Sequence, residues 1–330
     1  MAPITLALLA SAPAGAGVWN PREVLQGVFV VASPPEAPVV AANAAGHALA
    51  AWDDTGNIRY AERSVGGPWS AGANVRRGAT GGPVQAAIGT DETAVIAWIT
   101  VGTEFVPSHL VASVRAPGAA GFAPELTIAP GAGLWWFDVG VTGDGTAVIT
   151  WTDASGVEFS SFAPGDVAWS APLVVSDPGA SAALPDLAVD DAGDVAIVWQ
   201  QGAPSAVASA YLAAGSAGWE SPAIVSTGAA AAWGPRVGLD AAGGAAVGFV
   251  DGTAFAVSTR TATSGWGAPV TVSGPNQVVT GSAFATDDAG DLLAAYQVLD
   301  PTTATGRIWA SSAAAGGAFG APSALSRPSD

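Results

Sequence analysis

The stretch Pro185–Ser226 decides the fold, and it reads PDLAVDDAGDVAIVWQQGAPSAVASAYLAAGSAGWESPAIVS. Three nearly apolar runs and one run led by Trp219 are separated by the turn DDAGD, a Gly-Pro loop and a Gly-rich turn. Gly, Asp and Pro favour turns because they adopt or stabilise the backbone angles that a turn requires. Runs this short are typical of strands rather than helices. The stretch therefore predicts four consecutive β-strands, named A to D below.

Two aromatic markers repeat along the chain and place the same four strands elsewhere. The first marker lies in strand B, six residues after a turn residue; its members are Trp52, Trp98, Trp151, Trp199, Phe249 and Tyr296. The second marker opens strand D; its members are Trp69, Phe122, Trp169, Trp219, Trp266 and Phe319. A fixed period of roughly 50 residues indicates a solenoid, a propeller or another repeat array.

Strand B identifies the array as a propeller. Val195–Trp199 is apolar at every position, so both faces of the strand must be covered by other elements. Radially stacked four-stranded sheets cover both faces, and no stretch shows the sustained helical period of a sheet-plus-helix solenoid. We therefore predict an all-β fold, a β-propeller of six four-stranded blades from about Pro38 to Ser326. A half-unit before Pro38 leaves a seventh blade open as an alternative.

Composition limits the partners. The chain has 27 acidic and 10 basic residues, a net charge of -17, and no cysteine. Nucleic acid and anionic membrane surfaces are excluded as partners because both need a basic surface. No stretch has the roughly 18 uninterrupted apolar residues of a membrane helix, so no membrane insertion is predicted. The two histidines, His47 and His109, are too distant for a His-rich metal site, so we expect neither a metal nor another cofactor.

The N-terminal segment, residues 1–35, has two interpretations, and residues 36–330 are predicted to form the propeller domain. The apolar run Ile4–Ala10 with the small residues after it is similar to a secretory signal, although a basic start is missing. Alternatively, Ala7–Leu25 aligns with Ser209–Ser226 and forms the outer strands of a partial blade. The first interpretation favours a secreted or cell-surface protein; a virion-associated one is also open.

The repeated acidic and aromatic residues favour structural roles. The turns D-D-x-G-D at Asp190 and Asp287 suit a calcium ion, but we expect each Asp to cap its own hairpin turn, since most copies lack the full carboxylate set. The strand-B and strand-D aromatics could bind sugars, but Phe and Tyr replace Trp among the copies. That exchange is typical of packing between blades.

The turns between strands C and D resemble a degenerate Asp-box, the S-x-D-x-G-x-x-W turn of sialidase-like propellers. They read STRTATSGWGAP from Ser258, SAYLAAGSAGWESP from Ser209 and SSFAPGDVAWSAP from Ser160. The box Asp is missing from these copies, and Asp166 lies near its place but out of register. The resemblance covers residues 38–326 as architecture. The chain is similarly related to bladed bacterial lectins with Trp-rich repeats.

The sialidase resemblance implies an Arg triad, a Tyr-Glu nucleophile pair and an acid Asp. These roles do not transfer here, because Arg63, Arg115 and Arg260 fall near the far end of strand C from the B–C loops. The tyrosines Tyr60, Tyr211 and Tyr296 all occupy repeat positions. We therefore assign no catalytic residue.

A candidate ligand site combines tryptophans that match no repeat position with polar residues of the B–C loops. We expect these tryptophans in the D–A connections, on the same face of a propeller as the B–C loops. Exposed aromatics beside amides and carboxylates suit sugar or peptide recognition. The alternative is that the tryptophans plug the central channel of the propeller. The candidate residues are Trp135, Trp136, Trp233, Asp53, Asp54, Asp153, Gln200, Gln201 and Asp251.

Three functions remain from the sequence. The first is a non-enzymatic module that recognises carbohydrate or a protein surface. The second is a degenerate sialidase-like glycoside hydrolase, in which Asp53 and Asp54 would work with Asp251 or Asp153 as paired carboxylates. The third is a purely structural propeller in a surface or virion assembly.

Overall fold

The computed structural model of the chain describes residues 38–78, 82–100, 108–131, 134, 136–179, 181–299 and 305–326. Within these ranges every regular element is a β-strand. No helix in this part of the chain is long and apolar enough to cross a membrane. The predicted N-terminal segment, residues 1–35, lies outside the described residues, so both interpretations of it stay predictions.

The strands of these ranges form six four-stranded sheets, numbered here in chain order. The first three sheets consist of β1 (Val39–Ala42), β2 (Ala48–Asp53), β3 (Ile58–Arg63) and β4 (Ala73–Arg76); β5 (Val84–Ile88), β6 (Ala94–Thr100), β7 (His109–Arg115) and β8 (Leu126–Pro130); and β9 (Phe137–Val141), β10 (Ala147–Asp153), β11 (Gly156–Phe162) and β12 (Leu173–Val174). The other three consist of β13 (Ala182–Val189), β14 (Val195–Gln201), β15 (Ala206–Leu212) and β16 (Ala223–Ile224); β17 (Ala232–Leu239), β18 (Ala245–Asp251), β19 (Ala254–Arg260) and β20 (Val270–Thr271); and β21 (Val278–Thr286), β22 (Leu292–Leu299), β23 (Gly306–Ala313) and β24 (Ser323–Ala324).

Every sheet is an antiparallel meander in which strands A, B, C and D pair in chain order. The stretch Pro185–Ser226 forms the fourth sheet, although its strand A begins three residues earlier, at Ala182. Four-stranded meanders stacked face to face are the blades of a β-propeller. The described residues thus form six four-stranded blades of the predicted all-β propeller fold, and the half-unit of the seventh-blade alternative lies outside them.

The A–B turns follow the predicted Gly hairpin in five of the six sheets, and in the second sheet Glu92 takes the left-handed position with a φ of 70°. In the fourth sheet the Asp190 amide donates to the Asp194 carbonyl and the Gly193 amide donates to the Asp190 carbonyl, which closes a three-residue loop. Gly193 has a φ of 95°, a left-handed angle that costs Gly no steric strain. The Asp190 carboxylate accepts the amides of Gly193 and Asp194, as predicted for an Asp that caps its own turn.

The predicted start of strand D is wrong by four residues in every sheet. In the fourth sheet the amide of Glu220, next to Trp219, donates to the Tyr211 carbonyl of strand C, but β16 itself begins at Ala223. Pro222 lies directly before β16 and has no N–H to continue the ladder. A proline also precedes β12, β20 and β24. The outermost strand of these four sheets is therefore only two residues long.

The chain divides into two compact units, each with its own apolar interfaces. The first unit holds the described residues up to Asp153 together with Phe159–Leu173, and in it β1 and β2 pack on β5 while β5 and β6 pack on β9. The second unit holds Ala154–Glu158 and the chain from Val174 on. In it the fourth sheet packs on the fifth through β17, and the fifth packs on the sixth through β21.

The strand-B aromatics lie inside the unit cores, as predicted for packing side chains. Trp98, Trp151, Trp199 and Phe249 are fully buried, and Tyr296 and Trp52 are nearly so. In the second unit Phe249 faces the fourth sheet with Val247, whereas Val250 faces the sixth sheet. Residues two apart on strand B therefore share one neighbouring sheet, and consecutive residues face different ones.

Candidate functional site

Trp136 is the most exposed of the predicted site residues in the first unit. Its side chain is 43% exposed, directly before β9, and its carbonyl accepts the Thr152 amide at 3.2 Å. This bond sets Trp136 beside the end of β10, where Asp153 is half-buried and engaged in an interaction of its own. Trp135 lies outside the described residues.

Asp53 and Asp54 hold their own B–C hairpin together. The Asp53 carboxylate is buried and accepts the Gly56 amide at 2.7 Å. The Asp54 carboxylate pairs with the Arg59 guanidinium at 3.1 Å, and Arg59 also donates to the Gly72 carbonyl. Both carboxylates therefore have partners within the hairpin, which leaves less of their hydrogen-bonding capacity for a ligand.

Gln200 and Gln201 end β14 and point to opposite faces of the fourth sheet. Gln201 shares a face with Trp199, whose indole N–H donates to the Gln201 side-chain oxygen at 2.7 Å. Gln200 shares a face with Val198, which packs in the core between the fourth and fifth sheets. The half-buried side-chain amide of Gln200 thus faces the fifth sheet, and this side chain has no hydrogen-bond partner among the described residues.

Trp233 lies inside β17 rather than in the connection before it, which corrects the predicted position. Strand A of the fifth sheet continues past a bulge between Trp233 and Arg236, and the sequence pattern did not reveal this extension. Trp233 pairs with Val250 and packs, half-buried, against the core between the fifth and sixth sheets. The neighbouring pair is Ala232 with Asp251, so Trp233 and Asp251 face opposite sides of the sheet.

Asp251 has one bonded and one unbonded carboxylate oxygen within the described residues. One carboxylate oxygen, Oδ2, accepts the Thr227 hydroxyl at 2.8 Å. The other, Oδ1, is buried and has no hydrogen-bond partner in the described part of the chain. The corresponding residue of the fourth sheet, Gln201, binds the Trp199 indole; in the fifth sheet Phe249 replaces that tryptophan and offers no N–H.

Gln200 and Asp251 come from facing surfaces of the fourth and fifth sheets. The sheets are tied beside them by the Ala232 amide, which donates to the Ser205 carbonyl at 2.8 Å. We call the set Gln200, Thr227 and Asp251 the Gln200–Asp251 cleft. It presents an amide, a hydroxyl and a carboxylate, three groups that bind hydroxyls well.

Thr227 is the member of the cleft that the sequence did not single out. It follows Ser226, whose hydroxyl accepts the Val207 amide, and serines after β12, β20 and β24 do the same for their own strand C. This repeated serine is a pattern that can be recognised in the sequence. It marks where the chain leaves strand D, and Thr227 is the next residue toward the B–C end.

The arginines of strand C lie at the other end of the sheets, as predicted. Arg260 pairs with Ala245 at the start of β18 and donates two hydrogen bonds of 2.8 Å to the Glu220 carboxylate. Its guanidinium lies 3.9 Å from the centre of the Tyr211 ring. Arg260 therefore joins the fourth and fifth sheets. Its hydrogen bonds hold the pKa of Glu220 below its usual value.

Asp186 is a mostly buried carboxylate between the fourth and fifth sheets. Its Oδ2 accepts the Val237 amide at 2.8 Å, and its Oδ1 pairs with Arg236 at 3.3 Å. Burial raises the pKa of Asp186, while Arg236 and the Val237 amide oppose the rise. Both oxygens thus link strand A of the fourth sheet to strand A of the fifth.

No three acidic or histidine side chains of the described residues are grouped as a metal site. The carboxylates of the D-D-x-G-D turns serve their own hairpins instead. Besides Asp190, the Asp287 carboxylate accepts the amides of Ala289 and Asp291.

Comparison with known proteins identifies the fold. No family model and no curated protein matches the sequence. Among solved structures, the chain is similar to an ulvan lyase of polysaccharide lyase family PL25, at 9% identity over 86% of this chain and 81% of that chain, with a TM-score of 0.60. It is similar to the GH93 α-L-arabinofuranosidase of Fusarium graminearum at 14% identity, 84% and 91% coverage and a TM-score of 0.53. It is also similar to the intramolecular trans-sialidase of Ruminococcus gnavus, at 8% identity over 80% of this chain and 90% of that chain, with a TM-score of 0.50.

These likenesses show the β-propeller fold. At identities of 14% and below they carry no residue roles across to this chain.

Proposed function

We propose that this chain is a non-enzymatic carbohydrate-recognition protein that binds sugar hydroxyls in the Gln200–Asp251 cleft. The observation that carries the proposal is the buried Oδ1 of Asp251 without a hydrogen-bond partner. Leaving a buried carboxylate oxygen unpaired is costly unless a ligand or water supplies the missing donor.

The chemistry of the cleft fits a polyhydroxylated ligand. An ionised carboxylate accepts several hydrogen bonds, and bonds to it are about twice as strong as neutral ones. The amide of Gln200 can both donate and accept, and the Thr227 hydroxyl holds the second oxygen of Asp251 in place. A sugar with adjacent hydroxyls could donate to Oδ1 of Asp251 and accept from Gln200 at the same time.

The structural neighbours support the substrate class. By their names, one is a polysaccharide lyase, one an arabinofuranosidase bound to arabinobiose and one a trans-sialidase. Carbohydrate is therefore favoured over a protein surface as the partner. A carbohydrate partner is also consistent with the proposed secreted or cell-surface location.

The hydrolase alternative is disfavoured because it needs two carboxylates available to one substrate. Of the acidic residues proposed for it, Asp53 and Asp54 are held within their own hairpin. Asp186, which also lies at the interface of the fourth and fifth sheets, uses both oxygens between strands. Asp153 has an interaction of its own, and Asp251 is the one of the four proposed acidic residues with a buried, unpaired oxygen.

The aromatic candidates have a separate place in the proposal. Trp233 lies on the opposite face of the fifth sheet from Asp251, so the two cannot hold the same sugar ring from one side. We expect the partly exposed edge of Trp233 to contact a neighbouring unit of a longer glycan.

The proposal is tested with the full chain on a glycan array, followed by calorimetry with the best ligand. Asp251→Asn keeps the shape and an acceptor for Thr227 but removes the charge, so we expect about 10-fold weaker binding or more. The matched control is Asp288→Asn, an equal charge change at an exposed A–B turn, which should bind as the unaltered protein does. No retained glycan, or equal affinity of the two variants, would contradict the proposal.

A further inference from the structure

A second groove opens between the fifth and sixth sheets, at the opposite end of the strands from the Gln200–Asp251 cleft. It has a volume of about 550 Å³ and belongs wholly to the second unit. Its lining includes Asp240, Ala246, Thr259, Thr286, Gly290 and Leu292.

The groove exists because a side chain that fills the preceding interface is missing here. Between the fourth and fifth sheets the Tyr211 hydroxyl donates to the Gly243 carbonyl at 2.8 Å, and the ring lies under Arg260. Gly243 is the turn glycine of the fifth sheet, and Gly290 is the turn glycine of the sixth.

The residues that take these places around the groove are small. Tyr211 and Thr259 occupy the same position on strand C, since each carbonyl accepts the amide that follows the C–D tryptophan. Likewise, the strand-C position that Arg260 occupies in the fifth sheet is occupied by Ala313 in the sixth. No side chain of the fifth sheet therefore reaches the Gly290 carbonyl, and it has no donor among the described residues.

Three polar groups of the groove lack a hydrogen-bond partner in the described part of the chain: the Gly290 carbonyl, the Thr286 hydroxyl and Oδ2 of Asp240. The Thr286 hydroxyl oxygen is buried and unpaired. Asp240 uses Oδ1 for the amides of Ala242 and Gly244, which leaves Oδ2 without a donor. A methyl group placed on Gly290 would lie 3.2 Å from that Oδ2, so the Asp240 carboxylate and the Gly290 backbone are neighbours.

We propose that this groove binds one neutral, hydroxylated six-membered ring, a single pyranose unit. One ring hydroxyl donates to the Gly290 carbonyl, as Tyr211 does to Gly243. Others donate to Oδ2 of Asp240 and exchange hydrogen bonds with Thr286, while Leu292 and Ala246 pack against the ring carbons. This site is independent of the Gln200–Asp251 cleft.

The charge of the site selects against anions. An unpaired carboxylate oxygen and a carbonyl both repel an anionic group, and the net charge of -17 adds to the repulsion. Arg260, the cation of the lining, already binds Glu220. A uronic acid should therefore bind far more weakly than the matching neutral sugar.

The test records amide NMR spectra of the full chain with methyl glycosides of glucose, galactose and mannose, and with methyl glucuronoside. A ligand of about a dozen non-hydrogen atoms should have a dissociation constant of about 1–10 mM. We expect at least one neutral glycoside to shift the amide signals of Ala246, Thr286 and Leu292, and methyl glucuronoside to leave them unchanged.

Two substitutions test binding in this groove without disrupting the sheets around it. Thr259→Tyr restores the residue of the preceding interface, so it should fill the groove, abolish the shifts and raise Tm by about 1–3 °C. Thr286→Val keeps the shape but removes the unpaired hydroxyl, and should weaken binding about 5-fold or more. Thr253→Val, an equal change at an exposed residue of the B–C end, is the control and should bind normally.

The outcomes separate this site from the proposed function. Asp251→Asn should leave the shifts around Thr286 intact, and Thr259→Tyr should leave binding in the Gln200–Asp251 cleft intact. The groove proposal is overturned if no neutral glycoside shifts these amides at about ten times the expected dissociation constant. It is also overturned if Thr259→Tyr binds as well as the unaltered chain.

Discussion

Trp199 of the fourth sheet and Phe249 of the fifth occupy the same position on strand B. Two residues further along each strand lies a polar side chain, Gln201 after Trp199 and Asp251 after Phe249. Trp199 satisfies Gln201 with its indole N–H, whereas Phe249 leaves Oδ1 of Asp251 without a donor. The apolar packing of the two aromatics is equivalent. One aromatic exchange therefore changes the hydrogen bonding at the sheet end without changing the core.

The burial of Trp199 gives the first stability prediction. Trp199→Ala removes a fully buried indole and should lower the free energy of unfolding by about 3–5 kcal/mol, because the cavity is added to the lost burial. Urea unfolding followed by circular dichroism measures this. Trp136→Ala, which truncates an indole 43% exposed, is the control and should cost much less. A loss below about 1 kcal/mol for Trp199→Ala would refute its role in packing.

The polar ends of strand B could be predicted from the sequence, but their grouping could not. A polar residue after an apolar run marks the end of a buried strand, which is how Gln200 and Asp251 were found. Whether two such residues meet depends on which sheet each one faces. That facing alternates with every residue, and the sequence alone does not show which neighbouring sheet each face of a strand contacts. For Trp233 the bulge in strand A also decides the face, and a bulge of this kind leaves no clear trace in the sequence.

Neighbouring sheets are joined by the same type of ion pair in both units. Arg115 of the second sheet binds Glu62 of the first and lies over Phe122, and Arg260 of the fifth sheet binds Glu220 of the fourth. Arg260 is almost completely buried, so losing its partner would strand a buried charge. These pairs connect sheets at the end of the strands away from the B–C loops.

The Arg260–Glu220 pair makes the stability depend on pH. The pKa of Glu220 is lowered by its hydrogen bonds to Arg260, so the pair stabilises the fold above the unfolded pKa of about 4.3 and is lost as the pH falls through the lower folded value. Glu220→Gln should therefore lower Tm at pH 7, and the difference from the unaltered protein should shrink below about pH 4.

The control for this experiment is Asp288→Asn, which also removes one negative charge but at an exposed turn. Its Tm should follow that of the unaltered protein at both pH values. Since half of the Glu220 side chain is exposed, we expect a moderate effect. A Tm difference for Glu220→Gln that stays constant with pH would show that the ion pair is not its cause.

The elements themselves were predictable because the same turn residues recur in the sequence of five of the six sheets, with Glu92 in place of the glycine in the second. Asp or Asn with Gly fixes the A–B hairpin, and the length of the apolar run fixes strand B. The predicted strand D started too early because only one residue beside the aromatic marker pairs with strand C. Pro222 and its counterparts then interrupt the ladder, and the strand begins after them. A proline two or three residues after an aromatic is the signal that would have corrected it.

The whole chain carries a large excess of negative charge, 27 acidic residues against 10 arginines. Charges of one sign repel one another in the folded state more than in the expanded unfolded chain. At low ionic strength the repulsion reaches across about 30 Å, and salt shortens this range to about 8 Å. Stability should therefore respond to salt throughout the molecule rather than at any one ion pair.

Salt should stabilise this protein at neutral pH. We expect Tm at pH 7 to rise between about 10 mM and about 150 mM sodium chloride, because screening relieves the repulsion. Near the isoelectric point of about 4.1 the same addition should have little effect or a slightly negative one, since only attractive pairs remain to be screened. A fall in Tm with salt at pH 7 would show that ion pairs outweigh the net charge.

The two-residue outer strands have a consequence for behaviour at high concentration. A long, flat outer strand offers a row of unpaired N–H and C=O groups on which another chain can form a further strand and begin a fibril. Strands such as Ala223–Ile224 and Val270–Thr271 end before such a row exists, and the prolines before them remove one donor more. The exposed side chains of Ile224 and Val270 therefore belong to outer strands that are too short to template polymerisation.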